Sequence, residues 1–147
     1  MTASSTTTII TPLMYYRGRD KMYANQLTPE LRANAARTLT LVNKLIVLMA
    51  QDGITLEPSP LTLTPVSSGW RPVAINAATP GAAARSLHIT CEAIDLYDPE
   101  GELDDWCMSH LQHLQDCALY LEHPAATKGW CHLQTRAPRS GNRVFYP

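Results

Sequence analysis

Apolar residues recur at three- and four-residue steps from Leu31 through Ala35, Leu39, Val42 and Ile46 to Met49. That spacing puts one apolar stripe on an amphipathic helix. Thr28-Pro29-Glu30 supplies its start: a hydroxyl N-cap, a proline at the first helical position and a negative charge in the first turn. Asp52-Gly53 ends it. A second helical pattern covers 103–118, with Leu103, Trp106, Cys107, His110, Leu111, Leu114 and Cys117 on or near one face. Alternation predicts strands elsewhere. Leu61, Leu63 and Val66 flank threonines and read as a half-buried strand running toward Ser67. Residues 87–96 read as extended, and 119–122 and 130–134 as two further short strands.

Breaks separate these elements. Pro58 and Pro60 mark a linker, Ser68-Gly69-Trp70-Arg71-Pro72 stops the first strand, and 76–84 read as a loop. Asp98-Pro99-Glu100-Gly101 is a turn signal, and Pro124 sits in the connection 123–128. Residues 1–12 read as a loose arm, and the aromatic and charged mix from Tyr15 to Asp20 suits a packed loop or turn better than a helix. In the tail, Val144-Phe145-Tyr146 is apolar enough to pin the chain end to the core. The expected fold is α+β, a small, mainly antiparallel sheet carrying a metal site and flanked by the two helices. Its division is an N-terminal arm and loop at 1–27, one domain at 28–136 and a packed tail at 137–147.

Composition narrows the classes. A chain of 147 residues has room for one core. Hydrophobic residues at 45% and charged ones at 17% are those of an ordinary globular chain. A formal net charge of -1 gives no electrostatic footprint for nucleic acid. The most apolar stretch, 39–50, is interrupted by Thr40, Asn43 and Lys44, so no membrane span is expected. Residues 1–8 lack a basic start and an apolar run, so no signal peptide is expected. Cys91, Cys107, Cys117 and Cys131 contain no C-x2-C pair and read as reduced thiols, with a disulfide left open.

Candidate chemistry gathers in four segments: 67–72, 86–88, 93–95 and 129–132. They hold His88, Asp95 and His132, and two imidazoles with one carboxylate are a common zinc set. Three protein ligands leave a fourth position for water, whose pKa zinc lowers toward neutrality. His88 and Asp95 are an odd number of positions apart, so an unbroken strand would face them oppositely. The backbone at 90–92 must therefore turn or bulge. A closed site from Cys91, Cys131, His88 and His132 is the weaker combination, because adjacent Cys131 and His132 point to opposite faces of a strand. His110 and His113, three apart on a helix, fit surface or packing roles better than a metal.

Ser86-x-His88-x6-Asp95, with Ala93 two before the aspartate, resembles the S-x-H-x-x-G-x-A-x-D signature of the zinc D-alanyl-D-alanine carboxypeptidase family. That family includes the vancomycin-resistance D,D-peptidases and phage L-alanyl-D-glutamate endolysins. Ser68-Gly69-Trp70-Arg71 resembles its S-G-[YW]-R segment and Trp130-x-His132 its W-x-H segment. The resemblance covers roughly 62–134, and the preceding helix is similar in style to phage-encoded members. It implies a zinc metallopeptidase, a hydrolase of peptidoglycan stem peptides, with His88, Asp95 and His132 as Zn2+ ligands. It also implies that Arg71 holds a substrate carbonyl or carboxylate and stabilises developing charge, with Ser86 as a substrate contact or support.

The family has glycine where this chain has Cys91, and its general base, a glutamate three before the last histidine, is Gly129 here. Glu122 is the candidate replacement, provided that the strands at 119–122 and 130–134 pair with Glu122 opposite Trp130 or His132. The expected partners are a peptidoglycan peptide and phage virion proteins, and the expected location is host cytoplasm or the virion. The competing expectation is a non-catalytic virion or tail component that keeps the zinc-peptidase fold without its base.

Overall fold

The computed structural model describes residues 7–147. The first half of the expected N-terminal arm, and most of the 1–8 segment read for a signal, lie outside the described residues. The described residues form six α-helices and five strands in the order α1 (Pro12–Tyr16), α2 (Arg19–Met22), α3 (Pro29–Gln51), β1 (Val66–Ser68), α4 (Val73–Ala78), β2 (Ala93–Asp98), α5 (Glu102–Ser109), α6 (Leu111–Asp116), β3 (Tyr120–Glu122), β4 (Gly129–Gln134) and β5 (Val144–Phe145). Single 3-10 turns lie at Ala24–Gln26 and Pro124–Ala126. The fold is α+β. No helix among the described residues is long and apolar enough to cross a membrane.

The strands form one sheet in the order β1-β2-β4-β3-β5. Three of its pairings are antiparallel, and the tail strand β5 joins β3 in parallel. Successive strand residues face opposite ways. Ile94, Leu96, Leu121, Cys131 and Leu133 therefore share one face, where they are buried in a common core with α3, α5 and α6. Asp95, His132 and Glu122 share the other. Apolar burial drives the first face inward, and register then decides what stands on the second.

The long helix α3 has the expected cap. The Thr28 hydroxyl accepts from the Leu31 N–H at 3.2 Å, and Pro29 opens the helix. Its buried side comprises Ala35, Thr38, Leu39, Val42, Leu45, Ile46 and Met49. The turn at 98–101 becomes a second cap: the Asp98 carboxylate accepts from the backbone N–H groups of Leu103 and Asp104, both at 2.9 Å, at the start of α5.

Five local expectations are corrected. The strand at 61–66 shrinks to β1, because serine and threonine hydroxyls take over the backbone bonds. Leu63 N–H donates to Ser59 O at 2.7 Å, and the Thr62 hydroxyl bonds Thr64 O and Val66 O. Leu61 and Leu63 end up 91% and 80% exposed. Within the expected loop at 76–84, α4 reaches Ala78, and the Asn76 amide then closes the following turn by donating to Ala83 O. The extended run 87–96 begins only at Ala93, since 86–92 coil into turns (Ile89 N–H to Ser86 O, Glu92 N–H to Leu87 O). The helix at 103–118 breaks at His110, whose ring Nδ1 bonds Trp106 O at 2.7 Å while its own N–H shifts to Cys107 O. The 15–20 segment is not a loop but the end of α1 and the start of α2, joined by Arg17 and Gly18, both left-handed at φ 53° and 78°.

Leu133 is fully buried on the central strand β4. Leu133→Ala is expected to destabilise the fold by about 2–5 kcal/mol in urea unfolding, whereas Leu61→Ala, on the exposed turn, should change it by less than about 0.5 kcal/mol.

Candidate metal centre

Two of the three candidate ligands meet by strand register. Asp95 on β2 pairs directly with His132 on β4, so their side chains leave the sheet together. The row extends both ways: Ser68 of β1 lies opposite Asp95, and Glu122 of β3 lies opposite Phe145 of β5. Continuing the β3–β4 register from Leu121↔Leu133 by one residue sets Glu122 across from His132. The site is thus a single transverse row on the face turned away from the helical core.

His88 arrives from a loop that is held at several points. Cys91 adopts φ 61°, the left-handed region that glycine tolerates best, and this reversal lets His88 and Asp95 converge despite their odd separation. Helix α3 secures the turn, with the Thr38 hydroxyl donating to Cys91 O at 2.7 Å and the Asn34 amide to Thr90 O at 3.0 Å. The Trp70 indole donates to Ile89 O at 3.0 Å, and Arg71 N–H to His88 O at 3.1 Å. Behind them Gly69 is pressed on α1: a Cβ there would stand 2.1 Å from Tyr15 O. Only glycine fits. Its carbonyl, in turn, accepts from His88 Nδ1 at 2.8 Å.

Proton counting shows what the cluster can hold. One ligand atom from each of His88, Asp95 and His132 lies within 4.8 Å of the others. Gly69 O can only accept, so His88 Nδ1 carries its proton. That leaves His88 Nε2 buried, without a hydrogen-bond partner, 3.2 Å from Asp95 Oδ2. A neutral imidazole would there aim a lone pair at a carboxylate. His132 Nδ1 faces Asp95 Oδ1 at 2.8 Å, and its Nε2 faces the Gln134 Oε1 acceptor at 2.8 Å. A divalent cation among His88 Nε2, Asp95 and His132 Nδ1 satisfies all of these atoms at once. The cluster can therefore hold a metal ion.

The charges agree with the geometry. Burial alone would push the Asp95 carboxyl up, but attraction to the adjacent His88 ring and the hydrogen bond from His132 outweigh it and hold Asp95 well below the usual carboxylate range. Burial works against a charged His132, yet its bond and attraction to Asp95 raise it above the ordinary value of 6.5. Arg71 stands with Nη2 3.9 Å from Asp95 Oδ2, and its buried Nε has no partner. Burial lowers its pKa and Asp95 opposes that. Glu122 is raised, mainly by burial, with the His132 charge opposing and Asp95 assisting.

The remaining sequence candidates fall elsewhere. The Ser86 hydroxyl accepts from His88 N–H at 3.2 Å and so shapes the turn that presents the ligand. Gly129 lies at φ 105°, on the side of β4 opposite His132 by alternation. Cys131 is buried on that same side, so it does not join His88 and His132 in a closed site, and all four cysteines are free. His110 and His113 stack on Trp106, with His110 Nε2 3.3 Å from Asp52 Oδ2. Sequence reading missed Gln134, Tyr15 and Phe145; of these only Gln134 carried a signal, two residues beyond His132 on one strand. No family model, curated protein or solved structure matches the chain.

Two outcomes follow. Gly69→Ala must move either α1 or the carbonyl that orients His88, so weaker zinc uptake and a lower melting temperature are expected together, read by chelator competition and calorimetry. In metal-stripped protein, the raised His132 adds stability that is complete below its ordinary 6.5 and lost as pH rises through the folded value. The depressed Asp95 adds stability present above its ordinary 3.8 and lost only as pH falls through the lower folded value. Urea midpoints should therefore fall as pH rises above 6.5, and His132→Gln should flatten that decline.

Proposed function

We propose that this chain is a zinc-dependent peptidase that hydrolyses peptidoglycan stem peptides, as a carboxypeptidase or an endopeptidase, in a phage context. The observation that carries the reading is the left-handed Cys91. It occupies the one position where the signature that this sequence resembles has glycine, and its reversal brings His88 to Asp95 and His132. Such a conformation at a non-glycine residue is costly and has a local reason here.

Bound zinc would supply Lewis-acid polarisation of the scissile carbonyl and activation of a water. The protein groups around it divide the other tasks. Glu122 takes the proton of the attacking water and passes it to the leaving amine, and its raised pKa suits a group that must both accept and return a proton. The Arg71 guanidinium, with Nη2 3.9 Å from Asp95 Oδ2, offers a donor to a substrate carbonyl or carboxylate beside the cluster. Phe145, next to Glu122 in the row and 6.3 Å from the His132 ring centre, supplies an apolar wall.

Gly129 favours a second reading. Its backbone at φ 105° is strained for a glutamate, so the position of the family's base is closed to one in this fold. If Glu122 does not take that role, the chain is a non-catalytic virion or tail component that keeps the metal. Zinc content and release of peptides or amines from purified peptidoglycan separate the two. Glu122→Gln is expected to lower turnover by about 10²–10⁴ with zinc retained. A wild-type protein that holds stoichiometric zinc and releases nothing supports the second reading.

A further inference from the structure

Both imidazoles of the cluster present one nitrogen to Asp95 and rest the other on a protein acceptor. For His88 the outer acceptor is the Gly69 carbonyl. For His132 it is a side chain, the Gln134 amide, at 2.8 Å from Nε2. An amide offers oxygen on one side and nitrogen on the other, so its orientation decides what His132 meets. Here the orientation is fixed. Gln134 Nε2 donates to Arg136 O at 2.8 Å, a carbonyl that can only accept, so Oε1 is the atom left to face the ring.

The surroundings remove the alternatives. Gln134 is 6% exposed and His132 9%, so water does not compete readily for either nitrogen. Gln134 is paired on both sides of the central strand, with Ala93 of β2 and Tyr120 of β3. It stands two residues from His132, on the same face. Its backbone therefore has little freedom to carry the amide away.

We propose that Gln134 is the positioning residue for His132: its Oε1 holds the Nε2 proton and so commits Nδ1, the nitrogen beside Asp95, to the metal. The inference rests on the metal reading and goes beyond it, because it assigns the tautomer of one ligand to one side chain. An outer acceptor of this kind also makes the imidazole more basic as a ligand.

The experiment compares full-length wild type with Gln134→Met, which keeps the bulk and loses the acceptor, and Gln134→Glu, which keeps an acceptor oxygen. Zinc affinity is measured by chelator competition. The imidazole N–H resonances are recorded by NMR in the cobalt(II)-loaded protein. Q134M is expected to bind zinc about 10–100-fold more weakly and to lose the slowly exchanging His132 Nε2–H signal, while Q134E regains both. If Q134M stays within about twofold of wild type with that signal intact, Gln134 is packing only and the proposal fails while the metal reading stands. Failure of Q134E to regain either property overturns it as well. Should Q134M not fold, Q134E decides alone: wild-type affinity with the signal retained supports the proposal, and loss of both overturns it. Wild type that takes up neither zinc nor cobalt removes the metal reading, and this proposal with it.

Discussion

A carboxylate withdrawn from water must be compensated where it stands, and Asp95 is compensated by one imidazole on each oxygen. Its side chain keeps only 13% of its exposure. Much of the surrounding structure serves to bring those imidazoles to it. His132 comes at no conformational cost, because it is the cross-strand partner of Asp95 in the middle of the sheet. His88 comes from a loop and needs a left-handed residue, a glycine pressed on α1 and two hydrogen bonds from α3.

The sheet separates two kinds of work. One face is filled by aliphatic side chains and Cys131 against the helices, and its burial fixes the register. The other face inherits that register as a line of polar and aromatic groups from Ser68 to Phe145. A slip of one residue would turn the line into the core and bring aliphatic side chains out. Core packing thus protects the site indirectly, by making any other alignment expensive.

The support behind His88 is layered in the same way. Tyr15 sits in the core, donates its hydroxyl to Ala93 O at 2.9 Å and accepts the Trp70 N–H at its own carbonyl. It therefore ties the start of β2 to the loop that carries Gly69. Trp70 is buried edge-on to Tyr16 and reaches the His88 turn through its indole. Helix α1, which lies outside the segments that resemble any signature, is part of the scaffold of the site.

The amphipathic stripe from Leu31 to Met49 and its Thr28-Pro29 cap were legible in the sequence, because helix periodicity and capping are local. So were the strands ending in Glu122 and Gln134, and the identities of His88, Asp95 and His132 as residues that belong together. Alternation misled at 61–66, where hydroxyls bond the backbone locally, and helical spacing hid the break at His110, where a ring nitrogen takes a backbone carbonyl. Only the tertiary structure decided that Gly69 must abut Tyr15, that Glu122 falls in line with His132, and that Gln134 turns its oxygen to the ring. Those are distances between groups far apart along the chain or choices of side-chain orientation. Composition and periodicity describe single segments, and the geometry that makes a site arises only when packing sets one segment against another.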